Sequence, residues 1–366
     1  MNGLLAGLAG MTAGHLIMIG IGGLLIWLAI RKEYEPTLLL PIGFGAILAN
    51  IPFSAAVMPG GVLELLHRAG IATELFPVLI FVAVGAMMDF SPVLQNPILM
   101  VFGAAAQFGV FFTMLLAATA GFPLKEAAAI GVIGAADGPT SIYVASVFAP
   151  RLLGPISVAA YSYMSLVPII QPPVIRFLTS RADRRISMTY RRQDVSRTAL
   201  ILFPVAVTVI AGLVAPISVP LIGMLMFGNL IRECGVVERL SRAAQEELAH
   251  LVTLLLGITI GSTMRADTFL TPGTLLILLM GLAAFVMDTA AGVVFAKLLN
   301  LFLPEKINPM VGAAGISAFP MSARVIARMA LNEDPQNYIL MHAAGANVAG
   351  QIGSIMAGGL ILALVR

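Results

Sequence analysis

One carboxylate lies within an apolar stretch in the first half of the chain. Residues 123–141 read PLKEAAAIGVIGAADGPTS, with Asp137 directly before Gly138 and Pro139. An acid in an apolar segment is costly and usually marks the path of an ion or a proton. The alternative is a structural cap on a helix that begins next to it. We interpret Asp137 as the centre of a site for a small cation.

The residues around Asp137 predict a helix that breaks within this stretch. Gly138 allows backbone angles that other residues avoid, and Pro139 cannot continue a helix but suits the first turn of a new one. The last carbonyls of the first half-helix then lack helical partners and carry partial negative charge. Together with a carboxylate they provide the oxygen atoms that a hard cation prefers.

A second apolar stretch is interrupted in the same way. Residues 308–324 read NPMVGAAGISAFPMSAR, where Gly315 and Ser317 mark the predicted break and Pro320 lies in the next half-helix. Irregular backbone at membrane depth is tolerated only where protein buries it or where it lines a cavity. Arg324 either pairs with an acid or an anionic substrate, or extends to the membrane surface.

The composition places both stretches in a membrane. Of 366 residues, 59% are hydrophobic and 11% are charged, whereas soluble domains have about 25% charged residues. One cysteine excludes internal disulfides, and the four histidines lack the spacing of metal ligands. We predict an all-α polytopic membrane protein with about ten transmembrane helices and two broken re-entrant hairpins, 123–150 and 306–330. The predicted spans are residues 16–30, 36–53, 74–90, 97–120, 154–178, 198–214, 216–231, 247–264, 272–300 and 336–363.

Basic residues predict the orientation of these helices. Seven arginines lie between Arg176 and Arg197. The positive-inside rule places this segment in the cytoplasm and the N-terminus outside. Contact with a cytoplasmic partner or with anionic lipid is the alternative explanation for the cluster.

The two halves of the sequence resemble each other. Each half has an odd number of predicted spans, so the second copy lies upside down relative to the first. Transporters with such inverted repeats bind their substrates near the bilayer midplane, on discontinuous helices. We predict repeats at 10–178 and 198–363, joined by a basic cytoplasmic linker at 179–197. The matched segments are 41–50 with 220–229, 61–66 with 235–240, 85–90 with 261–266 and 134–146 with 312–325, at offsets of 179, 174, 176 and 178.

Other polar residues within the spans are candidates with two explanations each. Tyr161 and Tyr163 are either interface anchors or functional groups. Asn347 lies among small residues, either as a packing contact or as a cation ligand. Asp288 lies in the middle of a span and remains a candidate, whereas Asp89 is predicted to be exposed.

Four motifs in order closely resemble one known family. They are GAADGPTSIYVAS, AYSYMSLVPIIQPP, INPMVGAAGISAFPMSARV and LMHAAGANVAGQIGS. The motifs resemble those of the β subunit of the sodium-pumping carboxylic-acid decarboxylases, which include oxaloacetate, methylmalonyl-CoA, glutaconyl-CoA and malonate enzymes. The resemblance extends over most of the chain.

The resemblance implies a translocase subunit that is active only in a biotin-dependent complex. In this family a carboxyltransferase α subunit transfers CO₂ to biotin on a carrier protein. The β subunit then decarboxylates carboxybiotin, exports Na⁺ and consumes a proton. Implied partners also include a small membrane γ or δ subunit, membrane lipid and further copies of the chain, but no nucleic acid. The implied location is a bacterial or archaeal inner membrane.

The resemblance also assigns site residues by their place in the motifs. The implied catalytic residues are Asp137, Tyr163 and Arg324, and carboxybiotin would be bound by Arg324, Ser317 and Asn308. The implied Na⁺ ligands are Asp137, Asn308, Gly312, Ser317 and Asn347.

Residue patterns without the resemblance leave a Na⁺-coupled secondary transporter for a carboxylate as the alternative function.

Overall fold

The computed structural model describes residues 6–33, 35–188 and 194–365, which form helices and no strand. Seven of the helical stretches described are long and apolar enough to cross a membrane, and two bent helix pairs and one shorter apolar helix accompany them. The prediction of an all-α polytopic membrane protein is confirmed. The helices before the linker are α1 (Ala6–Ala9), α2 (Ala13–Lys32), α3 (Pro36–Ala49), α4 (Val62–Leu66), α5 (Leu75–Met87), α6 (Ser91–Gln95), α7 (Leu99–Ala105), α8 (Phe108–Thr119), α9 (Leu124–Gly131), α10 (Gly138–Phe148), α11 (Leu153–Ser165) and α12 (Val167–Leu178).

The linker contains one short helix, α13 (Arg181–Arg184), and its residues 189–193 lie outside the described part of the chain. Arg191 and Arg192 of the predicted basic cluster lie in this segment, outside the described residues. The helices after the linker are α14 (Arg197–Val214), α15 (Val219–Cys234), α16 (Glu238–Ala243), α17 (Ala249–Thr263), α18 (Ala266–Phe269), α19 (Pro272–Leu299), α20 (Pro309–Ala313), α21 (Met321–Glu333) and α22 (Leu340–Leu364).

Two spans predicted as single helices are interrupted. The predicted span 154–178 consists of α11 and α12, which meet at an angle of 66°. Pro168 follows this bend, in the first turn of α12, where proline is tolerated because the amide there needs no helical partner. The predicted span 97–120 divides into α7 and α8 at Ala106 and Gln107.

Two helix crossings are built alike. Helix α3 packs on α17, and α5 packs on α15. A Cβ atom at Gly261 would collide with the carbonyl oxygen of Ile42, and one at Gly85 would collide with that of Leu225. Glycine at these positions therefore lets the two backbones touch in each crossing.

One asparagine side chain forms a hydrogen bond across each of these two crossings. The Asn50 side chain donates a hydrogen bond to the carbonyl of Met264 at 2.7 Å, and the Asn229 side chain donates one to Met88 at 3.0 Å. Asn50 aligns with Asn229 in the predicted repeat, and Met88 aligns with Met264. This agreement supports an inverted repeat, although the boundaries 10–178, 179–197 and 198–363 remain a prediction.

Replacing the crossing glycines is expected to destabilise the protein. Gly85→Val and Gly261→Val force apart backbones in contact, and overpacking of this kind costs roughly 1–3 kcal/mol. Thermal unfolding in detergent measures the effect. Gly20→Val is the matched control, because no atom lies within 4 Å of a Cβ atom there. Equal midpoints for all three variants would contradict this account of the crossings.

Candidate functional site

The Asp137 carboxylate is buried and held by neutral hydrogen-bond donors. Its Oδ2 atom accepts hydrogen bonds from the hydroxyls of Thr140 and Ser354, both at 2.6 Å, and from the Gln351 amide at 2.7 Å. Its Oδ1 atom accepts a longer hydrogen bond, of 3.3 Å, from the Thr140 backbone amide. The side chain therefore also caps α10. Among the described residues, no basic side chain forms an ion pair with it.

The break before Asp137 has a different geometry from the one predicted. The left-handed residue is Ala136, with φ of 52°, whereas Gly138 begins α10. Gly138 is needed for another reason, because a Cβ atom there would collide with the ring of Tyr161. The Tyr161 ring thus packs beside the residue that follows the carboxylate.

The second broken segment crosses the first near the points where their helices are interrupted. The backbone amide of Ser317 donates a hydrogen bond to the carbonyl of Ala135 at 3.1 Å. This bond satisfies a carbonyl at the end of the first half-helix, one of the groups that a helix terminus leaves without a partner. The helix α20 ends at Ala313 and α21 begins at Met321, so Pro320 precedes the second half-helix and does not lie within it.

Helix α22 forms hydrogen bonds with both broken segments. The Ser317 hydroxyl donates to the carbonyl of Gly350 at 2.8 Å, and the Asn347 amide donates to the carbonyl of Ile316 at 2.6 Å. The Asn347 Oδ1 atom is buried and has no hydrogen-bond partner among the described residues. Since Gln351 and Ser354 of the same helix bind Asp137, the structure brings Asp137, Ser317 and Asn347 together around α22.

Asn308 and Gly312 lie in different surroundings. The Asn308 amide donates hydrogen bonds to the carbonyls of Arg184, at 3.0 Å, and Ile186, at 2.8 Å, both in the linker. Gly312 packs backbone to backbone against Gly292 of α19. Each residue thus has a structural contact of its own, and no hydrogen bond of the described chain joins either one to Asp137.

The other two predicted catalytic residues also lie apart from Asp137. The Tyr163 hydroxyl donates a hydrogen bond to the carbonyl of Leu278 in α19. Arg324 is exposed in the first turn of α21 and has no described hydrogen-bond or ion-pair partner for its side chain. Of the two tyrosines, Tyr161 is therefore the one that packs next to the carboxylate site.

The donor atoms at this site fit a hard monovalent cation. In the described part of the chain, no group of three His, Cys, Asp or Glu residues could hold a metal ion. The atoms present are carboxylate, amide, hydroxyl and backbone oxygens, the ligand types that hard cations prefer. A single carboxylate balances a single positive charge.

Comparison with known proteins identifies the family. The model for the beta subunit of Na⁺-transporting oxaloacetate decarboxylase matches residues 14–365. The chain belongs to this family. Oxaloacetate decarboxylase beta chain 2 of Salmonella typhi is 46% identical, with 98% of this chain and 97% of that protein aligned. The resemblance seen in the four motifs is thereby confirmed.

Two other relatives carry the names of different decarboxylases. Glutaconyl-CoA decarboxylase subunit beta of Acidaminococcus fermentans is 50% identical, and methylmalonyl-CoA decarboxylase subunit beta of Propionigenium modestum is 46% identical. Each comparison covers 98% of this chain and 96% of the relative. The named acid thus varies among beta subunits that match this chain almost equally well.

Sequence reasoning missed three residues that bind Asp137. Thr140, Gln351 and Ser354 each donate a hydrogen bond to the carboxylate. A helical spacing was available as a signal, because Asn347, Gln351 and Ser354 follow one another at intervals of four and three and so share one face of α22. The partner of that face was not predictable from spacing.

Gln171 of α12 supports the second break. Its amide donates to the carbonyl of Ala313 at 2.9 Å, and its Oε1 atom accepts from the Ser322 hydroxyl at 3.0 Å. Ala313 is the last residue of α20. Gln171 therefore holds the end of one half-helix and the start of the next.

Ion pairs bind the described part of the linker to the second half of the chain. Arg184 donates a hydrogen bond to Glu333 at 2.7 Å, and Lys297 lies 3.2 Å from Asp183. The hydrogen bond from Arg184, with the charge of Arg181, holds the pKa of the Glu333 carboxyl below its usual range. The linker is thus held by ion pairs as well as by Asn308.

Removing the Glu333 charge is expected to lower stability in a pH-dependent way. Because its folded pKa is lowered, this contribution is complete above the unfolded pKa of about 4.3 and is lost as the pH falls through the folded value. Glu333→Gln should therefore unfold at a lower temperature than wild type at neutral pH, and the two midpoints should converge in acid.

The control is Glu238→Gln, which removes an exposed pair with Arg242. Exposed pairs of this kind contribute little to stability. A difference between wild type and Glu333→Gln that persisted at pH values well below the usual glutamate pKa would contradict the assignment.

Proposed function

We propose that this chain is the membrane subunit that decarboxylates carboxybiotin and couples this reaction to Na⁺ export, with Asp137 as the charged ligand of the transported ion. The observation that carries the proposal is a buried carboxylate, 2% exposed, at the crossing of two broken helices. It fits the family to which the chain belongs. The charge of Asp137 is balanced when a cation is bound.

The energetics of burial support a cation at Asp137. An isolated carboxylate in an apolar medium is strongly unfavourable, so it is paired, coordinates a metal or takes up a proton. Donors from Thr140, Gln351 and Ser354 stabilise the charge but do not neutralise it. Na⁺ and a proton are thus alternative partners for the same carboxylate. Their exchange at one site provides the coupling between Na⁺ export and proton consumption.

Decarboxylation of carboxybiotin requires a site that binds an anion and a group that donates a proton. Biotin on a partner supplies the N-carboxyl group, whose loss as CO₂ leaves a nitrogen that takes up one proton. Arg324 is exposed and has no described partner, so its guanidinium is available to orient that carboxylate. Tyr163, whose hydroxyl binds a carbonyl of α19, is the proposed proton relay.

The resemblance further assigned Asn308, Gly312, Ser317 and Asn347 to ion or substrate binding. Ser317 and Asn347 remain proposed ligands because both lie at the crossing, and the Oδ1 atom of Asn347 is available. In this proposal Asn308 and Gly312 have structural roles, because Asn308 binds the linker and Gly312 permits the close contact of α20 with α19.

The complex and its orientation complete the proposal. The relatives are named as beta subunits, and their named acids differ, so the acid is selected by another subunit. We assign the partners as a carboxyltransferase α subunit, a biotin carrier and a small membrane subunit. The basic linker lies on the cytoplasmic side of an inner membrane, and the N-terminus lies outside. A secondary carboxylate transporter has no support among these relatives.

Asp137→Asn is expected to abolish Na⁺-dependent turnover. The variant keeps the shape of the side chain but lacks the charge that binds the cation. We expect Na⁺ affinity to fall by about 100-fold or more, equal to roughly 3 kcal/mol. The measurement is decarboxylation of free carboxybiotin, with ²²Na⁺ uptake, by the complex in proteoliposomes.

Asp89→Asn is the matched control, because the Asp89 side chain is 46% exposed and forms only a long ion pair, of 3.9 Å, with Arg232. It is expected to retain turnover. Coupled Na⁺ transport by Asp137→Asn at wild-type Na⁺ concentrations would refute the proposal.

The two tyrosines are expected to differ in their effects. Tyr163→Phe removes the proposed relay, so turnover at saturating Na⁺ should fall by about 10²-fold or more while half-saturating Na⁺ is unchanged. Tyr161→Phe alters the surroundings of Asp137, so half-saturating Na⁺ should change first. Na⁺ titrations of the reconstituted complex distinguish the two, and the reverse pattern would reassign the tyrosines.

A further inference from the structure

A second carboxylate is buried within the membrane-spanning region, and the function proposed above does not use it. Asp288 lies in the middle of α19 and is fully buried. Its Oδ1 atom accepts a hydrogen bond of 2.5 Å from the backbone amide of Gly109. That amide lies in the first turn of α8, where the break at Ala106 and Gln107 leaves it without a helical partner. One oxygen of Asp288 thus caps α8.

The other oxygen of Asp288 faces the first broken segment. Its Oδ2 atom has no hydrogen-bond partner among the described residues. A Cβ atom at Gly134 would lie 3.0 Å from it, so the absence of a side chain at Gly134 leaves this oxygen its space. Gly134 belongs to the 3-10 turn Val132–Ala135, which ends two residues before Asp137.

Three more buried oxygens without a described partner lie on α19, on α8 and directly before α8. They are the Gln107 Oε1, Thr113 Oγ1 and Thr289 Oγ1 atoms. Thr113 follows Gly109 by one helical turn and shares its buried face. Thr289 is next to Asp288 in the sequence. Buried polar atoms nearly always have partners, and Thr113 is the exception whose buried helix face also carries the amide that binds Asp288.

The charge of Asp288 has no counterpart in its surroundings. Neither α8 nor the turn Val132–Ala135 contains a charged residue. None of the described ion pairs includes Asp288. Capping α8 requires only an acceptor, which serine or asparagine provides without a charge. The carboxylate therefore needs a cation that the protein itself does not supply.

We propose that Asp288 is the anionic ligand of a second site for a hard monovalent cation, between α8, α19 and the turn Val132–Ala135. Thr113, which shares the buried face of α8 with Gly109, is the candidate neutral ligand beside the Asp288 carboxylate, since hard cations prefer such oxygen ligands. The inference rests on the proposed Na⁺ transport and adds a second ion-binding position to it. Because one 3-10 turn separates the two carboxylates, occupation of either site alters the backbone that leads to the other.

Equilibrium binding of ²²Na⁺ to the purified chain in detergent tests the proposal without any assay of turnover. Asp288→Asn keeps an acceptor for the Gly109 amide but removes the charge. This variant is expected to bind one Na⁺ per chain fewer than wild type. Asp137→Asn should likewise bind one fewer, and the double variant should bind none of the two ions.

Folding and function are checked separately. Asp288→Leu removes both the charge and the cap, so it should unfold at a lower temperature than Asp288→Asn, whose midpoint in the absence of Na⁺ should match wild type. If Asp137→Asn alone kept the wild-type stoichiometry while Asp288→Asn lost an ion, the proposed transport site would fail and the second site would stand.

Two results would overturn the second site. One is wild-type Na⁺ stoichiometry in Asp288→Asn. The other is an infrared band of a protonated carboxylic acid that is present in wild type at saturating Na⁺ and absent from Asp288→Asn. That band would show that Asp288 holds a proton and serves as a neutral cap.

Discussion

The hydrogen bond from the Ser317 amide to the Ala135 carbonyl is the contact on which the centre of the molecule depends. Two helices that stop within a membrane leave backbone groups without partners, and lipid cannot satisfy them. Here the second broken segment supplies a hydrogen-bond donor for a backbone carbonyl of the first. Helix α22 then binds the second segment through Asn347 and the first through Gln351 and Ser354. One face of α22 thereby binds the second break and also surrounds the buried carboxylate of Asp137.

Glycine allows this arrangement because the segments meet backbone to backbone. A Cβ atom at Gly315 would collide with the carbonyl of Phe102, and one at Gly350 would collide with that of Gly315. In a lipid environment, where apolar burial between helices gains little, close contact of this kind is a main source of association. The main chain of the centre is therefore closely packed, and a few side-chain oxygens are the polar groups that remain around Asp137.

The sequence was sufficient to predict the broken helices and to single out Asp137 as a candidate, because an acid with adjacent glycine and proline is unusual in an apolar segment. The contacts of Asp137 were not predictable, since Gln351 and Ser354 are 214 and 217 residues away along the chain. Local rules also misled at several positions, of which Gly138 is one. They explained Gly138 by its backbone freedom, whereas the structure explains it by the ring of Tyr161.

The attachment of the linker has a consequence for the biosynthesis of this chain. The carbonyl groups of Arg184 and Ile186 are bound by Asn308, which is synthesised 124 residues after Arg184. Asn337, which follows still later, binds the same two carbonyls. Until the ribosome has delivered Asn308, neither of these two carbonyls has an asparagine partner. The first half of the protein is thus synthesised before its connection to the second half can take its final shape.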